Sequence, residues 1–509
     1  MMAASEPTHS GIDLERLPNG PVSRSAHKPI TIYLECTHTY HSDINTGIQR
    51  VVRNVLRNAP EVGAQYGMRI VPVIVENSQY RVVDSAPVLN GRSSAVSGSQ
   101  PSAASWKRTA LVCARSLLGK TFRYFRTLTA AVLPFPAVAK FLLAPPSEFG
   151  LNRIVQKTAK ALFGRGKEAP VGALIGRENA PPGSADSIVD HTGDILLLLD
   201  SSWTAPLWPA TKAFKRQGGI VIGVIYDLIP VSHSHACVPF LTAAFTQWLR
   251  EYCLTSDGTV TISRAVQHQY EMYVQLCFAG KPSVLRAPVT HFHLGSELDL
   301  TGKTGQPPSP RIAALFDSKV PTFLMVGSID PRKNHAFVLD AFERLWATGH
   351  QVRLVIVGKQ AWRTEDFLSK VNRHPRLKKD LFVFRDASDA ELEQCYLGSS
   401  ALVIASEIEG FGLPVVEAFR RELPVICSDI PVFREIGGDA VEYFDLDDPS
   451  SLAVAIETFC QSNRRPRLAP TWLTWRQSTE ALFQSISEIA DMHATSPTSS
   501  RTSGSGKVA

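Results

Sequence analysis

ALVIASEIEGFGLPVVEAF, residues 401–419, is the stretch that decides the fold. Ala401–Ala405 is a short apolar run of strand type, and Pro414 suits the first turn of a following helix. Between them Gly410 and Gly412 let backbone N–H groups approach a ligand closely. Glu409 lies in this loop, and Glu417 is expected in the first helical turn. Ligands of doubly wound α/β domains bind at the carboxyl ends of the strands. Carboxylates take hydroxyls and amides take anionic oxygens, so this junction suits a polyol diphosphate. A generic turn with a Glu favoured by the helix dipole would look similar. Two carboxylates, two glycines and a proline together argue against it.

The same rhythm extends outward. Strands are expected at Thr322–Val326, Arg353–Val357, Leu381–Phe384, Pro424–Cys427 and Val441–Phe444, with helices between them. In one helix Val338, Phe342, Leu345 and Trp346 share a face, and Gly349 stops it. The first half alternates likewise, with strands at Ile30–Cys36, Met68–Val75, Ile195–Asp200, Ile220–Tyr226, Thr259–Ile262 and Ser283–Arg286. Gln79–Val83 is a hairpin partner. Helices are expected at Gly47–Asn58, Leu207–Arg216, Pro239–Tyr252 and Arg264–Phe278. Repeated βα units imply parallel sheets covered by helices on both faces.

The fold class is therefore α/β, with two Rossmann-like doubly wound domains facing a cleft. The expected divisions are 29–295 for the first domain, carrying a basic helical insertion at 85–190, and 311–460 for the second. A closing helix is expected at 470–492. Residues 1–28 and 493–509 are polar and expected to be disordered.

The chain has 509 residues, 44% apolar and 20% charged, enough for sizeable cores. None of its eight cysteines forms a C-x-x-C pair, which argues against a zinc ribbon or thioredoxin site. There is no apolar signal region at the start and no run of about 18 uncharged apolar residues. The net charge of +6 is local in origin: residues 107–167 hold 12 Lys/Arg and one acid, so the rest of the chain carries −5. Within that block Leu151, Ile154, Val155, Thr158 and Leu162 share a helical face, opposite Arg153, Lys157 and Lys160. This suits an anionic membrane surface rather than nucleic acid. The expected location is cytoplasmic, peripheral on the inner face of the inner membrane.

After Thr322–Val326 comes GSIDPRKN, which places Arg332 and Lys333 at a strand end where a diphosphate would sit. Thr46-Gly47-Ile48 occupies the equivalent loop of the first domain. Asp445-Leu446-Asp447 resembles a metal-binding D-x-D but lies in a far surface turn. His233-x-His235 and His291-x-His293 lack a third ligand identifiable from sequence. The absence of G-x-G-x-x-G after a strand disfavours a nicotinamide dehydrogenase.

Taken in order, TGIQRVVR (Thr46–Arg53), YDLIP (Tyr226–Pro230), TISRAVQ (Thr261–Gln267), VGSIDPRKN (Val326–Asn334) and EGFGLPVVEA (Glu409–Ala418) resemble the family 4 glycosyltransferases, retaining enzymes of the GT-B fold. The resemblance covers about residues 30–80 and 190–490. It implies that Glu409 takes hydroxyls of a donor sugar, that Phe411, Gly412 and Leu413 offer backbone N–H groups, and that Glu417 holds a ribose. Gly327 and Ser328 would line the donor site, and Arg332 and Lys333 would neutralise the leaving diphosphate. Gly47 would bring the acceptor-domain loop against it, with Asp227 a candidate on the acceptor side. No metal and no cofactor are expected beyond the nucleotide-sugar co-substrate. The implied function is transfer of a sugar, with mannose as the guess, to a lipid-linked or polysaccharide acceptor of envelope biosynthesis. The alternatives are a nucleotide-sugar epimerase and a non-catalytic nucleotide-sugar-binding protein. Two departures stand out: Ser328 follows Gly327 where relatives place an Arg soon after, and Tyr226-Asp227 stands where many have His-Asp.

Overall fold

A computed structural model describes residues 29–42, 46–90, 190–298, 309–316, 319–461 and 470–495. The expected basic insertion and both terminal segments lie wholly or almost wholly outside these residues. So does most of the stretch between the two halves.

Two sheets carry the described chain. The first has seven strands in the order β3-β2-β1-β4-β5-β6-β7. These are β1 (Thr31–Glu35), β2 (Arg69–Glu76), β3 (Gln79–Val82), β4 (Ile195–Leu198), β5 (Ile220–Ile225), β6 (Gly258–Thr261) and β7 (Val289–His291). Only β3 runs antiparallel. The second sheet is parallel throughout, in the order β10-β9-β8-β11-β12-β13. Its strands are β8 (Thr322–Val326), β9 (Arg353–Val357), β10 (Leu381–Phe384), β11 (Ala401–Ile404), β12 (Val425–Ser428) and β13 (Glu442–Phe444). Central strands such as β4, β5, β11 and β12 are buried at every position, because helices cover both faces.

In each sheet the strand order reverses once, between β1 and β4 and between β8 and β11. Such reversals open a crevice at the carboxyl ends of the strands. The candidate active site described below grows from these two crevices.

The helix Gly47–Gln65 runs past the expected end at Asn58 and carries Pro60 inside it. Its apolar stripe continues through Ala59 and Val62. That stripe packs on the last helix, Trp475–Thr495. Tertiary burial thus outweighs one missing backbone bond.

The strand expected at Ser283–Arg286 is instead a short helix, Pro282–Leu285. Pro282 supplies a first-turn residue with no N–H to lose. The sheet is completed by Val289–His291, paired with β6 through Thr259↔Val289 and Val260↔Thr290.

Candidate active site

The C-terminal crevice gathers the charged residues of two separate motifs. After β8 a single 3-10 turn, Pro331–Lys333, holds Arg332 and Lys333. After β11 the loop carries Glu409. Lys333 Nζ donates to Glu409 Oε1 at 2.5 Å, and Arg332 Nη1 donates to Oε2 at 3.0 Å. Ser406 Oγ adds a bond to Oε1 at 2.8 Å. Arg332 also reaches the Ile408 carbonyl, and the Glu407 N–H donates back to the Arg332 carbonyl, so the two loops form one unit.

Burial alone would raise the Glu409 carboxyl. Lys333 and Arg332 outweigh it and hold the group down at about 2. Burial likewise opposes the Arg332 charge, but Glu409, Asp330 and Asp227 hold it protonated. Lys333 folds its alkyl chain over Gly327, whose missing Cβ would stand 3.2 Å from Lys333 Cε. Ser328 Oγ donates to Asp330 Oδ2 at 2.7 Å.

Two glycines shape the Glu409 loop. Gly412 has φ +103°, and a Cβ there would meet Phe433 Cε1 at 2.7 Å. A Cβ on Gly410 would lie 2.1 Å from the Tyr226 carbonyl oxygen of the other domain. Gly410 is therefore a point of close approach between the domains. Its carbonyl also accepts from Ser263 Oγ at 2.7 Å. Phe411 is buried, with ring centroids 5.8 Å from His293 and 6.0 Å from Trp472.

Glu417 is the fifth residue of the helix Leu413–Phe419, not part of its first turn. The helix dipole therefore does not account for it. Its carboxylate is buried and has a partner at each oxygen. Arg50 reaches Oε1 from the N-terminal domain at 2.8 Å, and Tyr396 Oη donates to Oε2 at 2.6 Å. Gly47 stands near the same helix, its missing Cβ 3.9 Å from Leu413 Cδ1.

Asp227 faces the same crevice from the N-terminal domain. Burial raises its carboxyl against the pull of Arg332, and Oδ1 accepts from the Ile229 N–H at 3.0 Å. Tyr226, in the position where many family members have a His, donates its hydroxyl to the Leu199 carbonyl at 2.7 Å. It is a core residue rather than a replacement for that His.

Sequence reasoning missed the groups that join the domains. Arg50 lies inside TGIQRVVR, but its charge reads as solvent-facing. Glu435, in the helix Pro431–Gly437, accepts from the Arg264 and Ala265 N–H groups at 2.7 and 2.8 Å and pairs with His293 Nε2 at 2.7 Å. Glu435 also supplies the third group that His291-x-His293 lacked, with the three ligand atoms within 4.8 Å of one another. Its carboxylate already caps the helix Arg264–Cys277, which is work enough to explain it.

Comparison with known proteins falls on the same region. Residues 311–469 match the family model of group 1 glycosyl transferases. The serotype-specific mannosyltransferase WbdA of Escherichia coli is 35% identical over 318 residues, 60% of this chain and 39% of its own. The O-antigen chain mannosyltransferase RfbU of Salmonella typhimurium is 30% identical over 175 residues, 32% of this chain and 48% of its own. The chain thus spans about two fifths of the WbdA length and about half of RfbU. Anabaena HepE, solved with UDP and glucose, aligns over 91% of this chain and 98% of its own, at 12% identity and a TM-score of 0.48. The matched segment, residues 311–469, is similar to the group 1 glycosyl transferases and holds Arg332, Lys333, Glu409 and Glu417.

Proposed function

We propose that the chain is a retaining glycosyltransferase of family 4, moving mannose from GDP-mannose to a saccharide or lipid-linked acceptor of an O-antigen-type polysaccharide. The observation that carries this reading is the Arg332–Lys333–Glu409 cluster at the β8/β11 crevice, inside the segment matched by the family model. The mannosyltransferase relatives support the choice of sugar.

The chemistry follows from the donor counts. Lys333 has three N–H donors and Arg332 five, so both keep donors for a diphosphate while holding Glu409. Glu409 keeps lone pairs for sugar hydroxyls. Negative charge develops on the departing diphosphate, and the two cations stand where it would appear, in the role that metal ions play elsewhere. Glu409 is tied to both cations and is no free nucleophile. The acceptor oxygen therefore attacks on the face the diphosphate leaves. The new C–O bond forms as the old one breaks, and the acceptor's proton passes to the departing phosphate oxygen. Configuration is retained with no sugar–enzyme bond.

The basic block 107–167 is proposed to bring the protein to an anionic membrane surface on the cytoplasmic side, where a lipid-linked acceptor would lie. Among the described residues no helix is long and apolar enough to cross a membrane.

The test is transfer of labelled sugar from a panel of UDP- and GDP-sugars into a lipid extract of the source organism, with Glu409→Ala beside it. Lipid-soluble label from GDP-mannose, lost in the variant, is the expected result. Nucleotide binding without transfer from any donor would favour a non-catalytic sugar-nucleotide binder.

A further inference from the structure

The helix cap explains the Glu435 carboxylate but not the two imidazoles that converge on it. The Phe292 N–H still bonds the Thr261 carbonyl, so strand alternation runs on past the end of β7. Phe292 is buried in the core, and His291 and His293 share the opposite side, their ring centroids 5.8 Å apart. One ligand atom from each of His291, His293 and Glu435 lies within 4.8 Å of the other two. All three residues are partly buried, so the cluster is shielded yet open to an ion from solvent.

Both rings are oriented from outside the cluster. His293 Nε2 stands 2.7 Å from Glu435 Oε1, and its ring packs on Phe411 and Trp472, with centroids 5.8 and 5.6 Å away. His291 is oriented by Gln267. The Gln267 amide nitrogen donates to Glu271 Oε1 at 2.9 Å, which leaves the amide oxygen to accept from His291 Nδ1 at 2.8 Å. His291 therefore carries its proton on Nδ1 and its lone pair on Nε2. Burial and the neighbouring His293 lower its pKa, so the ring is neutral at pH 7. A neutral imidazole whose far nitrogen donates to a carbonyl-type oxygen is the form that metal-bound histidines take.

We propose that His291, His293 and Glu435 bind a divalent transition-metal ion of the zinc class, with water as the fourth ligand. Two imidazoles select that class over calcium or magnesium, which take oxygen ligands. His291 binds through Nε2. At His293 the ion takes the place of the Nε2 proton, which moves to Nδ1 or to solvent. Glu435 Oε1 has two lone pairs, so it binds the ion while still accepting from the Arg264 N–H, and Oε2 keeps the Ala265 N–H. Zinc bonds of about 2.0–2.1 Å draw the three ligand atoms together, opening the His293–Glu435 contact slightly as His291 closes in. The histidines belong to the first domain and Glu435 to the second, so the ion is a clasp across the interface and takes no part in sugar transfer. The assignment stands apart from the glycosyltransfer reading.

The experiment titrates zinc chloride into the full-length chain, purified without a histidine tag and stripped with a chelator, against a chromophoric zinc indicator. Wild type is compared with His291→Ala, Gln267→Leu and His233→Ala. Glu435 is left alone because it also caps a helix. Wild type should take up one zinc per chain at micromolar or lower free metal, and its melting temperature should rise with zinc. Gln267→Leu keeps all three ligands and should weaken that zinc by roughly 10–100-fold, the cost of losing a group that orients a ligand. His291→Ala should weaken it further and abolish the rise in melting temperature. His233→Ala, in the other His-x-His pair, should bind zinc as the wild type does. Zinc held by cysteines would survive every one of these substitutions. No zinc bound at micromolar levels would overturn the assignment. So would an affinity unchanged in His291→Ala, or an equal loss in His291→Ala and His233→Ala.

Discussion

The two crevices have the same topology and opposite electrostatics. At the β8/β11 end a buried carboxylate is matched by two cations, and Glu409 is held at about 2. At the β1/β4 end two carboxylates lie together, and no Lys or Arg among the described residues pairs with them. Burial and the neighbouring Asp200 push Glu35 up to about 7. Burial raises Asp200 as well, opposed by bonds from Thr39 and Ser201. Hydroxyls and backbone N–H groups serve the N-terminal pair, and Glu35 Oε2 has no hydrogen-bond partner among the described residues. The sheet topology decides only where ligands sit. The side chains on the exit loops decide the charge and hydrogen bonding that such a place offers.

The contrast is broken most severely from its charged side. Glu409→Ala should abolish detectable transfer and destabilise the protein by about 3–5 kcal/mol, because Arg332 and Lys333 are left partly buried without their carboxylate. Denaturant melts and the labelling assay would check both. The same group predicts acid behaviour. Its folded pKa is depressed, so its stabilising contribution is present above the ordinary carboxyl pKa of about 4.3 and is lost as pH falls towards 2. Lys333→Met keeps the length of the side chain and removes the charge. It should reduce kcat by roughly 10²–10³ with a smaller change in donor KM, the signature of stabilising charge that develops only during transfer. A comparable rise in KM with kcat intact would mean that Lys333 binds the ground state and the transition state equally.

The sequence made the charged crevice more legible than the neutral one. Arg332, Lys333 and Glu409 follow apolar runs in sequence, and such runs, like ILLL at Ile195–Leu198, locate the strands. What could not be read was pairing over distance. Nothing near Arg50 shows that it meets Glu417, and Glu35 and Asp200, far apart in sequence, are brought together by the β1–β4 pairing. Local patterns also misplaced elements. Ser283–Arg286 has an apolar pair but no sheet neighbour, whereas half-buried Val289–His291 does. Glu417 shifts by part of a turn because the helix starts at Leu413.

The neutral crevice is tested by pH. Glu35 binds its proton more tightly when folded, so the native state gains stability below about pH 4.5 and loses it as pH rises through about 7. Glu35→Gln keeps an acceptor for Thr37 and Ser202 but cannot ionise. Its melting temperature should be flatter between pH 5 and 8 than that of the wild type. At pH 8 the variant should gain of order 2–3 kcal/mol relative to its own deficit at pH 4.5. Parallel pH profiles would show that Glu35 titrates normally and that the two crevices do not differ in this way.

The smallest effect concerns the contact that ties the crevices together. Arg50 is the cation that the N-terminal domain sends across, and burial of its charge is offset by Glu417. Arg50→Met and Glu417→Gln each break the pair, and the double variant closes a thermodynamic cycle. In contact and largely buried, the pair should show a coupling of about 1–2 kcal/mol in stability. Tyr396 stays bonded to the residue at 417 in either form, which separates the ion pair from simple packing. If Glu417 also holds a donor ribose, donor KM should rise in Glu417→Gln and much less in Arg50→Met. If the pair serves closure alone, the two variants should raise it equally. A coupling near zero would mean that this ion pair adds nothing to the approach of the domains, which then rests on the Gly410–Ser263 contact and on Glu435 with His293.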